Sequence, residues 1–239
     1  SDVCSSDLAM TYGNPSVMRI VKDAVRDGCD DFVFVPLYPQ YAGATTGAVF
    51  DQISRVFQKV PVASHRFIRD YHDHPRYIHA LAKSLERYNT SIQNGAHVLF
   101  SFHGIPMSQV NQGDLYPEQC EKTAAAVAHA VGLSKDAWSL SYQSKFGPGA
   151  WLTPATIDQV SKFPERGIKD LVVICPGFSV DCLETIEEIK VENKHTFLAA
   201  GGERFQYVKA LNATKFHVDL MVALIESSLY SHELRAAES

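Results

Sequence analysis

Apolar residues in this chain gather into short continuous runs, separated by longer stretches in which they recur every three or four positions. Four runs of Val, Ile, Phe and Leu have strand length: "DFVFVPLYP" (31–39), "HVLFSFHG" (97–104), "AWSLSYQS" (137–144) and "DLVVICPGF" (170–178). A weaker fifth is "HTFLAAG" (195–201). Between them, helical spacing predicts helices over "PSVMRIVKDAVRDG" (15–28), "HPRYIHALAKSLERYNT" (74–90), "YPEQCEKTAAAVAHAVGL" (116–133) and "PATIDQVSKFPERG" (154–167). The first ends in a Gly suited to the position just past a helix, and the second repeats Tyr77, Leu81, Leu85 and Tyr88 along one side. "ALNATKFHVDLMVALIESSL" (210–229) reads as a cap followed by an amphipathic helix.

Continuous apolar strands alternating with helices indicate parallel sheets covered on both faces, so the fold class is α/β. The polar stretch "YNTSIQNGAH" (88–97) is the best internal boundary. The expected organisation is a first α/β unit over 9–91, incomplete; a fuller second unit over 92–209; and a C-terminal helix over 210–239. Residues 1–8, "SDVCSSDL", lack the basic and apolar regions of a signal peptide and lead poorly into "AMTYGNPSVMRIV" (9–21), so they read as a non-native leader.

Composition narrows the function classes. With 239 residues, 46% of them hydrophobic, the chain can bury a real core. A net charge of -5 with dispersed basic residues argues against nucleic acid as a partner. The apolar runs are far too short to span a membrane. Five cysteines without a C-x-x-C pair point to free thiols in a reducing compartment, hence the cytoplasm.

In open parallel sheets, ligands bind beyond the carboxyl ends of the strands. Those ends present His103 and Gly104; Tyr142, Gln143, Ser144 and Lys145; and, after the fourth run, Asp181, Cys182 and Glu184. His103, between an apolar strand and a Gly-Ile-Pro turn, either caps the strand or serves as a base or metal ligand near neutral pH. Glu184, Glu188 and Glu192 are spaced four apart and share a helical face. They are either a solvated row at a helix start, with Asp181 as its cap, or a group that handles protons or a cation. His65, His72, His74 and His79 lack zinc-type spacing and read as solvated linker. There is no P-loop and no G-x-G-x-x-G.

Three stretches in order, "SFHGIP", "SYQSKFGPGAWLTPAT" and "DCLETIEEI", closely resemble the ferrochelatases, with "YGNPS", "PLYPQY", "TTG" and "ALNAT" extending the likeness from about Ala9 into the C-terminal helix. The resemblance implies two Rossmann-like units with a porphyrin cleft, and insertion of Fe2+ into protoporphyrin IX to give protohaem. It places the family's active-site histidine on His103, as proton acceptor or metal ligand, and its catalytic glutamate on Glu184. It places a proton or metal path on Glu188 and Glu192, and pocket positions on Tyr12, Ser144, Trp151 and Phe178. Iron is then substrate rather than resident cofactor. No [2Fe–2S] cluster is expected, because no cysteine follows Cys182. An apolar substrate implies peripheral contact with the inner membrane.

The sequence departs from the family in two ways: Thr11 stands where many members have arginine, and the family's opening strand and glycine turn do not precede Ala9. Two other readings therefore stand beside a protoporphyrin ferrochelatase. One is an inactive porphyrin-binding fragment; the other is a chelatase for another porphyrin or metal.

Overall fold

A computed structural model describes residues 6–60 and 64–237, with side chains described as far as Leu229. Residues 1–5 of the expected leader lie outside the described part. The chain forms two compact units.

The first unit gathers residues up to Pro36, Tyr41–Asp70 and the chain from Met221 onward. Helix α1 (Val17–Arg26) starts where the Ser16 hydroxyl accepts the Arg19 N–H at 3.3 Å, satisfying one donor of the first turn. Strand β1 (Asp31–Phe34) pairs in parallel with β2 (Ser64–Phe67), and between them a π-type turn (Gly43–Gly47) runs into helix α2 (Ala48–Phe57). The core consists of Val17 and Val21 from α1 and Ile53 and Val56 from α2, flanked by Phe32, Phe34 and Phe67. Neither β2, "SHRF", nor α2 was anticipated from the pattern. The apolar run predicted over 31–39 keeps strand geometry only to Phe34, because Pro36 and Pro39 cannot donate to a ladder.

The second unit comprises Leu37–Gln40 and Tyr71–Leu220. It opens with α3 (Pro75–Leu85), capped by the His74 ring on the Arg76 N–H, and a short 3-10 turn leads into α4 (Asn89–Gln93). Strand β3 (His97–His103), α5 (Met107–Asn111), α6 (Tyr116–Ala130), β4 (Trp138–Gln143), α7 (Thr156–Lys162) and β5 (Asp170–Ile174) come next. A π-helix (Glu184–Asn193) then continues into α8 (Lys194–Ala199), before β6 (Arg204–Val208) and α9 (Lys215–Ala237).

Placing the boundary at 91 separates elements that pack together. Helix α3 lies on α6, and the Tyr77 hydroxyl donates to the Pro176 carbonyl at 2.5 Å while accepting from Gln40. Residues 71–91 therefore belong with the second unit. Helix α9 is no separate piece either, since it counts with the second unit to Leu220 and with the first from Met221.

The second sheet is all parallel in the order β4-β3-β5-β6. The chain leaves β3 toward β4 on one side and reaches β5 on the other, so the strand order reverses between β3 and β5. A crevice opens at such a point, beyond the carboxyl ends. Every residue from His97 to Phe102 is buried, which is why this strand reads as an unbroken apolar run. On one face Leu99, Leu171 and Val173 pack with Val160, Phe163, Ile189, Phe197 and Phe205.

The "HTFLAAG" run is not a strand; it is α8, ended by Gly201 in the left-handed region. The sheet's fourth strand is instead β6, "RFQYV", which pairs only with β5 and so alternates polar and apolar residues as an edge strand does. The next glycine, Gly202, donates its N–H to the Phe197 carbonyl at 3.0 Å. A Cβ there would overlap the fully buried Phe197 ring. Gly202→Ala is therefore expected to cost at least about 2 kcal/mol through overpacking, measured as a lowered urea midpoint.

Candidate active site

The last residue of β3 is His103, and its register partner on β4 is Gln143. The chain turns at Gly104, whose N–H donates to the Gln143 carbonyl at 2.7 Å. A Cβ on Gly104 would press on that carbonyl at 3.1 Å and on the Trp151 ring at 3.4 Å, so the close approach favours glycine. Pro106 and Trp151 form an antiparallel bridge, and Met107 and Leu152 donate to the carbonyls of Ala150 and Ile105 at 2.9 and 3.0 Å. That ladder seats Trp151 beside the turn following His103.

The Nδ1 of His103 lies 2.6 Å from the Gly104 carbonyl. A carbonyl can only accept, so Nδ1 carries the hydrogen and the lone pair sits on Nε2. The half-buried ring lies 6.2 Å from that of Phe178, tilted by 45°.

Across the switch point, β5 leads through Phe178 to Glu184, the first residue of the π-helix. The Cys182 thiol and Glu184's own N–H hold its carboxyl below the usual range; burial opposes them, and the His103 ring adds a smaller attraction. Burial, and then the neighbouring Glu184, keep the Cys182 thiol protonated. Cys182 thus touches the Glu184 carboxylate, which its place in "DCLE" did not foretell.

Glu188 is gripped by its neighbour across the sheet end. Ser144, in the left-handed region at φ 62°, points both its N–H (2.6 Å) and its hydroxyl (2.5 Å) at the Glu188 carboxylate. Glu184 and Glu188 are half-buried, whereas Glu187 and Glu192 are exposed. A four-residue step, just over a turn in an α-helix, falls just short of one in this wider helix, so the row keeps one face.

Asp181 does not cap this helix. The capping position is Leu183, which offers no side-chain bond. The Asp181 carboxylate instead accepts from the Tyr207 hydroxyl (2.6 Å), the Ala210 N–H (3.1 Å) and the Asn212 amide (2.9 Å). Asn212 in turn accepts the Asp181 N–H at 2.9 Å, from a left-handed backbone that asparagine tolerates. Burial pushes this carboxyl up, but the Tyr207, Asn212 and Ala210 donors together hold it below its ordinary value of 3.8. A carboxyl depressed on folding stabilises the fold above its unfolded value, and that contribution fades as pH falls through the folded one. Asp181→Asn is therefore expected to be less stable at neutral pH and to lose less stability on acidification below about pH 4, as read from urea midpoints against pH.

Of the expected site residues, His103, Ser144, Trp151, Phe178, Glu184, Glu188 and Glu192 all fall in the second unit. Tyr12 belongs to the first; it is 77% exposed, and the carbonyl of its neighbour Thr11 is held by Gln52 of α2. The four histidines read as solvated linker lie instead in or against regular structure: His65 stacks on Phe57 at 4.2 Å, His72 is buried, His74 caps α3, and His79 meets Phe216 edge-on. Among the described residues no three His, Cys, Asp or Glu side chains converge as a metal cage.

An α/β protein with an imidazole and a carboxylate at its switch point presents groups of the kind that handle protons or a metal ion. Its fold matches that of a solved structure, SirB from Bacillus subtilis with Fe3+, at a TM-score of 0.71 over 98% of this chain and 86% of that one, with 13% identity. The chain belongs to the ferrochelatase family, whose family model, "Ferrochelatase", matches residues 3–229. It is 48% identical over 221 residues to the ferrochelatase of Vibrio cholerae serotype O1, covering 92% of this chain and 69% of the relative. It is 42% identical over 221 residues to the coproporphyrin III ferrochelatase of Streptococcus mutans serotype c, covering 92% and 68%. The protein is thus an enzyme of the metal-chelatase class.

Proposed function

We propose that this chain inserts Fe2+ into protoporphyrin IX, giving protohaem and releasing two protons. The observation that carries this reading is the pinned imidazole: Nδ1 is committed to the Gly104 carbonyl, so Nε2 is left to act, with the Glu184 carboxylate near enough to attract the ring.

A porphyrin holds two N–H protons that must leave as the metal enters. His103 Nε2 takes one of them or holds the iron in transit, and Glu184 balances the imidazolium or accepts the second. Nitrogen and carboxylate oxygen both suit Fe2+, and two ligands are few enough to let it go. Glu188 and Glu192 carry protons or cations between this pair and solvent, with Ser144, at the pocket's edge, steadying Glu188. Trp151 and Phe178 line the pocket beside His103.

Large apolar side chains within two positions of these residues are exposed: Phe146 (85%), Leu183 (72%) and Val180 (49%). They suit a substrate with vinyl edges. The Streptococcus relative's name supports a second reading, coproporphyrin III, which carries propionates where protoporphyrin has vinyls. Among the described residues no helix is long and apolar enough to cross a membrane. The free thiols and the apolar macrocycle support a reading as a cytoplasmic enzyme that meets its substrate at a membrane surface.

The test is an anaerobic insertion assay with Fe2+ and each porphyrin in turn. A higher kcat/KM with protoporphyrin IX supports the reading, and a higher value with coproporphyrin III transfers it to the second substrate. Porphyrin binding without turnover on either makes the chain a binding protein.

A further inference from the structure

Beneath the site runs a line of buried polar groups that proton or metal handling does not itself require. The Ser141 hydroxyl on β4 lies 2.8 Å from that of Thr156 at the start of α7, which lies 2.8 Å from that of Ser101 on β3. Ser101 donates onward to Gln143 Oε1 at 2.8 Å, and the Cys175 thiol donates to the same oxygen at 3.4 Å. From the other end of that amide, Nε2 donates to the backbone carbonyl of Glu184 at 3.0 Å. Since a carbonyl only accepts, the amide has one orientation. None of these four hydroxyl and amide side chains is more than 2% exposed.

Polar groups at such depth are costly to bury, and an apolar side chain of similar volume would fill the same space. The Glu184 carbonyl opens a helix, where carbonyls already accept within the helix. Its bond from Gln143 is therefore an addition that anchors, not one that rescues an orphan. Gln143 also reaches the other member of the pair: its own carbonyl accepts the Gly104 N–H, and the Gly104 carbonyl orients His103.

We infer that Gln143 is a positioning residue for metal insertion: its backbone holds the turn that orients His103 while its buried amide holds the first residue of the π-helix, so that imidazole and Glu184 carboxylate keep their mutual placement. Ser101, Thr156 and Ser141 lock the amide in turn. The inference rests on the insertion reading above, and it adds a residue that touches neither porphyrin nor metal.

The experiment compares the full chain with Gln143→Met, which keeps the volume but neither donates nor accepts as an amide does. Gln143→Glu is the second variant; it keeps an acceptor for Ser101 and Cys175 and loses the donor to Glu184. Rates are normalised to folded protein by near-ultraviolet circular dichroism. The expected result is a kcat at least tenfold lower in both variants, with KM for porphyrin within twofold. A purely structural role would reduce the folded fraction and leave kcat per folded molecule unchanged; an unchanged kcat in either folded variant overturns the inference. Amide exchange over residues 184–189, read by mass spectrometry, separates this from failure of the insertion reading. If the parent chain itself shows no turnover, faster exchange there in Gln143→Met still supports the anchor, and unaltered exchange overturns it.

Discussion

Replacing His103 with alanine is expected to lower kcat for Fe2+ insertion by about 10²–10⁴-fold, the range of a lost general base. Porphyrin affinity, read from fluorescence quenching, is expected to stay within about threefold, because the loss falls on the reacting step and not on uniform binding. The asymmetry follows from how the ring is held. Nδ1 spends its hydrogen on the Gly104 carbonyl, which leaves Nε2 as the nitrogen with a lone pair to offer. The ring is half-buried at a strand end and contributes little to the packed core, which lies deeper along β3 at Leu99 and Phe100. The variant should therefore fold. A kcat within about tenfold of the parent would remove His103 from the chemistry, and the proposal with it.

What could be read from the sequence, and what could not, divides along local and non-local lines. Strands β3 and β5 were legible because both faces are buried, which leaves unbroken apolar runs. His103 was legible as a site residue because the rule about strand ends needs only the end of one run. β6 was not, since an edge strand with Arg204 and Gln206 shows no such run, while the buried Phe197 and its apolar neighbours gave α8 the look of a strand. The acidic row was legible as a helix face but not as a π-helix, because a four-residue repeat fits either winding. Asp181 looked like a cap because acidic residues usually are at that position; its partners Tyr207 and Asn212 lie 26 and 31 residues away, out of reach of any local pattern. Ser144 was placed in the pocket by resemblance. Its left-handed backbone, which turns N–H and hydroxyl together onto Glu188, is a matter of geometry that composition does not carry.

Single Gln substitutions along the acidic row should form a graded series. Glu184→Gln is expected to lower kcat by about 10²-fold, since an amide can neither accept a proton nor balance an imidazolium. Glu188→Gln should have a smaller effect of about tenfold: the Ser144 N–H and hydroxyl both donate to the carboxylate, and charge-assisted bonds of this kind contribute about 1.5–3 kcal/mol. A glutamine could accept the Ser144 N–H through its carbonyl and donate its NH2 to the Ser144 hydroxyl oxygen, but neither bond would then carry the carboxylate's charge. Glu192 is exposed, where water screens its charge, so Glu192→Gln alone should stay within about twofold at ordinary ionic strength. A row of independent solvated carboxylates would instead give flat results at all three positions. The decisive variant is the double replacement of Glu188 and Glu192. If the row conducts protons or cations, the double variant slows insertion more than the product of the single effects, because the remaining carboxylate no longer substitutes for the missing one. Insertion kinetics unchanged across pH in the double variant would leave Glu184 working with His103 alone, and the outer glutamates as ordinary helix surface.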